Sequence, residues 1–201
     1  MKRACLVMVA LVLAGCETRG PLPPLEAPAP SAPSSSQPSA AHRPKAPLPP
    51  VQSAGPLTKN GVEVYMDAQE SDLRNYLRGQ GVRVARRGNE IALSVASDRL
   101  FVKTAISDWG DAFARAMVQV LAHYDHTAVE IACYTDARGD AEQNLALSQK
   151  RAKALADSLS GYGVAASRIT ASGFGAANSR STNPNDPKNR RIEIKIVPRP
   201  S

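Results

Sequence analysis

Aromatic side chains make up only 4% of this 201-residue chain, and histidine and cysteine number three each. Proteins that hold single-stranded nucleic acid need aromatic platforms on which bases stack, and such a composition supplies few. The formal charge of +7 does not restore that class: Lys2 and Arg3 belong to a leader, which leaves 23 basic against 18 acidic residues, scattered rather than clustered. No nucleic-acid partner is expected. Of the cysteines, Cys5 lies inside the leader and Cys16 at its end, so Cys133 has no internal disulfide partner. It shares the apolar face of a strand with Val129 and Ile131, and no helix N-terminus or basic neighbour acts to activate it, so it reads as a small buried hydrophobe. An enzyme needs a constellation of reactive side chains, and only three histidines are present. The best constellation is His123, Asp125, His126 and Cys133, but a zinc site wants three or four convergent ligands, and turn histidines beside a helix end are usually surface residues. No catalytic residue, metal or cofactor is expected.

Long apolar runs are also missing. The one from Ala4 to Ala14 is about half the roughly 20 residues that a bilayer requires. Preceded by Lys2-Arg3, it reads as a signal peptide over residues 1–15. Leu13-Ala14-Gly15-Cys16 resembles a bacterial lipobox, which implies cleavage before Cys16 and its acylation, with several acyl chains giving stable anchoring where one is marginal. Glu17 stands where an Asp tends to retain such lipoproteins in the inner membrane, and so points to the outer membrane, with the rest of the chain in the periplasm.

Twelve of the sixteen prolines fall between Pro21 and Pro56. A Pro/Ala/Ser stretch of this kind cannot bury enough apolar surface to fold, so residues 16–57 read as the lipidated cysteine and a disordered tether. The folded domain is assigned to residues 58–201. There, Asp67 to Gly79 suggests an amphipathic helix with Leu73, Tyr76 and Leu77 inward. Val82–Arg87 and Glu90–Ala96 alternate around Gly88-Asn89 as a hairpin. Ser107 caps a helix to Tyr124, with Phe113, Ala116, Met117, Val120, Leu121 and Tyr124 as its buried stripe. A strand follows from Thr127 to Tyr134, then a helix from Asp140, whose carboxylate and Gln143 form a D-x-x-Q capping box. Strands at Ile169–Phe174 and Arg190–Val197 close the chain. The pattern predicts an α/β two-layer sandwich, helices on one face of a mixed sheet of about four strands.

The stretch between the Thr127 strand and the next helix reads T-D-A-R-G-D-A-E-Q-N-L-A-L-S-Q-K-R from Thr135 to Arg151. Leu145, Ser148, Ala152, Leu155 and Leu159 recur at helical spacing and face inward, which puts Asn144, Leu147 and Arg151 on the flank. A carboxylate at a strand end and a guanidinium two to three turns along can face one pocket and suit a zwitterion, Arg151 forking onto a carboxylate while Asp136 takes an ammonium. Each residue alone has a plainer reading, Asp136 as a turn residue and Arg151 as a solvated charge worth under about 1 kcal/mol. Spacing alone favours the plainer one. In the last strand Arg190 has the parity of Ile192, Ile194 and Ile196, so it points to the helix side of the sheet's edge and can lend a second positive charge.

Several motifs then occur in order: T-D-x-x-G, Asn144, L-S-x-x-R-A at Leu147–Ala152, G-V-x-x-x-R-I at Gly163–Ile169, S-G-F-G at Ser172–Gly175 and N-R-R-I-E-I at Asn189–Ile194. Jointly they resemble the OmpA-like peptidoglycan-binding domain found at the C-termini of OmpA, Pal and MotB. The resemblance implies that Asp136 and Arg151 hold the diaminopimelate of the peptidoglycan stem peptide, with Thr135, Asn144, Leu147, Arg190 and the family phenylalanine, Phe101, around them. No covalent chemistry is implied. Cys133-Tyr134 stand where the family carries Gly-His, and Val102-Lys103 where an acidic or amide residue is common. The expectation is an outer-membrane-anchored lipoprotein that grips diaminopimelate-type peptidoglycan non-covalently. The alternative is a lipoprotein subunit of a secretion, conjugation or motor complex that uses the fold mainly to contact other envelope proteins.

Overall fold

The computed structural model describes residues 59–199; the signal peptide, Cys16 and the tether assigned to 16–57 lie outside the described residues. The sheet begins with the hairpin of β1 (Arg83–Arg87) and β2 (Glu90–Ala96), in register from Arg87↔Glu90 to Arg83↔Ser94. Gly88 turns it at φ 57, the positive φ at the first turn position that glycine adopts without a Cβ penalty. Next comes the short α2 (Ser97–Leu100), then a two-stranded ribbon of β3 (Phe101–Val102) and β4 (Ala105–Ile106). β5 (Thr127–Tyr134) pairs in parallel with β6 (Ile169–Gly173), and β7 (Arg191–Pro198) inserts antiparallel between β2 and β5. The main sheet therefore runs β1-β2-β7-β5-β6, five strands where about four were expected.

The last strand in sequence takes the centre because its isoleucines suit burial there. Ile192, Ile194 and Ile196 are fully buried and register against Val95, Leu93 and Ile91 on one side and Cys133, Ile131 and Val129 on the other. Three helices cover that face: α1 (Lys59–Tyr76), α3 (Asp108–His123) and α4 (Ala141–Gly161). The opposite face carries Arg191, Glu193 and Lys195, with Arg191 Nε donating to Glu193 at 2.7 Å. The result is the two-layer α/β sandwich.

α1 starts eight residues earlier than the Asp67 expected from the apolar stripe. Its inward face includes Tyr65, Met66 and the fully buried Gln69, and a polar residue in the stripe hides the period. Gln69 is placed by its amide, which donates to Thr127 Oγ1 at 3.3 Å. The α3 cap forms as expected, Ser107 Oγ accepting from Gly110 N at 3.0 Å. Among the described residues no helix is long and apolar enough to cross a membrane.

Leu145 departs from the inward stripe and is 42% exposed. It lies in the opening turns of α4, where Gly175 backs onto the helix main chain, so the backbone rather than the leucine side chain meets the fold. One turn on, Ser148 faces inward and its Oγ accepts from Gly175 N at 2.9 Å.

Candidate functional site

The end of β5 is pinned by the chain beyond β6. Phe174 N donates to Cys133 O at 2.9 Å, Thr135 N to Gly175 O at 2.8 Å, and Ala137 N to Pro184 O at 3.0 Å. Asp140 then caps α4 by accepting from Gln143 N at 2.9 Å, while Asn144 Nδ2 donates to Arg138 O at 2.8 Å. Asn144 thus ties the loop to the helix, and the loop holds Asp136 in a buried position.

Every contact of Asp136 falls on one oxygen. Its Oδ2 accepts from Arg190 Nη1 at 2.9 Å and lies 3.9 Å from Arg138 Nε; Oδ1 has no partner among the described residues. Arg190 stands one residue before β7, outside the strand whose alternation was used to orient it, and its Nε and Nη2 both meet Asp98 Oδ2 at 2.7 Å. Those carboxylates, Asp98 first and then Asp136, raise the Arg190 guanidinium above an ordinary arginine in basicity.

Arg151 is buried on α4 without an ion pair among the described residues. Its Nε donates to Lys103 O at 2.7 Å, its Nη1 makes a long contact of 3.5 Å with Ser97 Oγ, and its guanidinium lies 5.6 Å from the Phe101 ring centroid. The Lys103 partner is a main-chain carbonyl, so the departure from the family residue types at Val102-Lys103 leaves this bond available. Lys103 has φ 58, a left-handed conformation that costs a side-chain-bearing residue about 1–2 kcal/mol, at the residue whose carbonyl orients the arginine.

Asp136 and Arg151 do not touch, yet a continuous line of contacts joins them. Arg151 meets Ser97, Asp98 follows Ser97, Asp98 holds Arg190 and Arg190 reaches Asp136. The main chain closes this line, with Ser97 N donating to Arg190 O at 3.0 Å. Two opposite charges, each partly withdrawn from water, therefore stand in one neighbourhood with bonding capacity left over. Thr135 adds a hydroxyl beside Asp136 whose Oγ1 is buried without a partner among the described residues. Phe101 is the buried floor under Arg151, and Leu147 is half-buried on the same helix flank.

Ser97, Asp98 and the Lys103 carbonyl were not anticipated. The Ser-Asp pair directly after a strand is a helix-start signal, though nothing local names Arg190 as the partner of Asp98. No sequence signal marks a carbonyl acceptor. Cys133 is fully buried, and burial pushes its thiol up to about 12, with Arg151 and Arg191 pulling weakly the other way. Tyr134 lies stacked on Phe174, centroids 5.3 Å apart, with the Arg191 guanidinium 3.9 Å from its ring centroid. A cavity of about 360 Å³ opens on the opposite face of the sheet between Arg83, Arg87, Arg180 and Lys195. None of the residues above lines it, and Arg180 there is already paired with Glu193 at 2.8 Å.

With this geometry in view, the class is defined: residues 103–193 match the OmpA family and form an OmpA family domain. Among curated relatives, the chain is 40% identical over 143 residues to the probable lipoprotein YiaD of Escherichia coli, matching 69% of this chain and 65% of that protein. The chain thus spans just under two thirds of that relative. Two solved structures share the fold: a putative MotB-like protein from Desulfovibrio vulgaris (20% identity, TM-score 0.57, covering 70% of this chain and 97% of that one) and the cell wall anchor of the T6SS from Pseudomonas aeruginosa (24%, 0.53, 63% and 96%).

Proposed function

We propose that this protein is a lipoprotein, anchored in the outer membrane through acylated Cys16, whose domain from about residue 58 onward binds peptidoglycan non-covalently. The ligand group is the zwitterionic end of diaminopimelate. Its ammonium is received at Asp136 Oδ1 and its carboxylate by the unengaged edge of Arg151. Thr135 supplies a hydroxyl, Asn144 fixes the loop, Arg190 orders Asp136, and Phe101 and Leu147 form the apolar surround.

The observation that carries this reading is the free capacity of two opposed, buried charges. Asp136 has all its contacts on Oδ2, and Arg151 has no carboxylate partner among the described residues. By contrast, Arg180 and the buried Arg191 both meet a carboxylate directly, converging on Glu193. The relative named a probable lipoprotein and the lipobox-like leader support anchoring. The family resemblance supports the wall as the ligand. No step breaks or forms a covalent bond.

Co-sedimentation of the full chain with purified diaminopimelate-type sacculi tests it. Each charge-assisted bond contributes about 1.5–3 kcal/mol, so Asp136→Ala and Arg151→Ala should each weaken binding roughly ten- to hundredfold with an unchanged circular dichroism spectrum. Sacculi carrying lysine in place of diaminopimelate lack the side-chain carboxylate and should bind poorly. Mutants that pellet like the wild type would end the assignment.

A further inference from the structure

We propose that Asp98 is a positioning residue for this site: by holding the fork of Arg190, it prevents that arginine from closing over Asp136 and keeps one Asp136 oxygen open to a ligand ammonium. The inference rests on the reading that Asp136 receives an ammonium.

An arginine and a carboxylate that meet without competition favour two parallel N–H···O bonds. Arg190 and Asp136 do not adopt that arrangement. Arg190 gives Asp136 a single nitrogen, Nη1, on Oδ2 at 2.9 Å, while Nε and Nη2 converge on Asp98 Oδ2 at 2.7 Å. The division is enforced by the main chain, since the bond from Ser97 N to Arg190 O stitches the start of α2 to the residue preceding β7 and fixes the Asp98 side chain alongside.

Burial decides what happens without Asp98. The Asp98 side chain is 49% exposed and that of Asp136 9%. Attraction between charges strengthens as water is excluded, so the deeper carboxylate is the stronger competitor for a released guanidinium. Deprived of Asp98, Arg190 turns both arms onto Asp136 and occupies the oxygen the ligand needs. Asp98 therefore acts through Arg190 and touches no ligand.

The test is a mutant cycle on the full chain, read by affinity for diaminopimelate-type sacculi. Asp98→Ala should weaken binding about tenfold, the worth of roughly one charge-assisted bond. Asp98→Asn, which keeps an acceptor for Arg190, should lose less. The double variant Asp98→Ala/Arg190→Ala should bind more tightly than Asp98→Ala, because the competitor is gone. If Asp98 merely stabilised α2, the second substitution would add damage instead. A double variant no better than the single one, or an Asp98→Ala protein that binds like the wild type, overturns the proposal. A crystal structure of Asp98→Ala gives a readout without ligand: Arg190 on both Asp136 oxygens supports the mechanism, and Arg190 still on Oδ2 alone refutes it. Wild-type protein that fails to bind sacculi would instead sink the wall-binding reading, and the crystallographic result would still decide the role of Asp98.

Discussion

Replacing Arg168 should cost more stability than replacing any other charged residue of the domain. Its guanidinium is buried and donates to three main-chain carbonyls, from Nε to Thr127 O at 2.7 Å, Nη1 to Leu121 O at 2.8 Å and Nη2 to Tyr124 O at 2.6 Å. The Leu121 and Tyr124 carbonyls belong to the end of α3, where helix carbonyls lack partners and a cation suits the dipole. Burial lowers the arginine's own pKa, so the carbonyls must offset the loss of hydration. A buried acceptor left without a donor costs about 1–3 kcal/mol. Water entering the vacated space would recover part of the sum for three of them, so Arg168→Met should lose about 3–5 kcal/mol, comparable to breaking a buried charged contact. Lysine at 168 keeps the charge but presents a point rather than a planar fork, and should restore less than half. Urea unfolding of the full chain, followed by the circular dichroism of the folded domain, measures this. With an unchanged slope of about 1–3 kcal/mol/M, the midpoint should fall by roughly 1–5 M. A methionine variant within about 1 kcal/mol of wild type would refute the reasoning, as would full rescue by lysine, since the carbonyl cluster would then not depend on the fork.

Two further outcomes follow from packing. Mass-mapped alkylation at pH 8 should leave Cys133 unmodified in the folded protein and label it after urea, because burial pushes the thiol up to about 12; modification at the rate of an exposed thiol would contradict its placement. A folded pKa above the unfolded value of about 8.5 means that stability is held below that pH and declines as pH rises toward 12. Cys133→Ala should therefore lack this part of the alkaline decline. Gly173→Ala would put a methyl 2.1 Å from Gln149 N and 2.4 Å from Ser148 C, main-chain atoms that move only if α4 moves. It should cost at least the 1–3 kcal/mol or so of overpacking and weaken sacculus binding, since Arg151 rides on that turn. Gly161→Ala, with open space around the new methyl, is the control, and equal behaviour of the two would contradict the close approach.

Legibility followed the range of the interaction. Period-two alternation identified Val129, Ile131 and Cys133 on one face of β5 and Ile192, Ile194 and Ile196 on one face of β7, because a sheet buried on one side writes its pattern into consecutive residues. Ser107 and Asp140 were readable as caps, since their partners lie three residues ahead. α2 and the ribbon, of four and two residues per element, are too short to show any period. Leu145 had the inward spacing but belongs to a turn where the helix backbone makes the contact. Arg168 was visible as part of a motif, though its role was not, because its acceptors are main-chain carbonyls that every sequence possesses. The Arg190–Asp98 contact was not readable, because Asp98 lies 92 positions away and only the antiparallel alignment of β2 with β7 brings the two together.

The arrangement of Asp136 and Arg151 has a physical logic that goes beyond the two residues. Had they met directly, the fold would have gained a partly buried ion pair and left neither charge with open bonding capacity, since each would satisfy the other. Instead each is held by neighbours that fix its position without exhausting it: Arg151 by the Lys103 carbonyl and the Phe101 ring, Asp136 by one arm of Arg190. The unrelieved desolvation is a cost that folding bears in advance, so that a ligand need not order these side chains on arrival. On the proposed reading, only a ligand bearing both an ammonium and a carboxylate relieves both ends. A ligand with one of them leaves the other group as poorly solvated as before, and removing one partner of a buried charged contact is far more costly than forgoing both. Discrimination between diaminopimelate and lysine walls then comes from the charge left unmatched at Arg151, and it should persist at salt concentrations that screen the exposed charges of the surface.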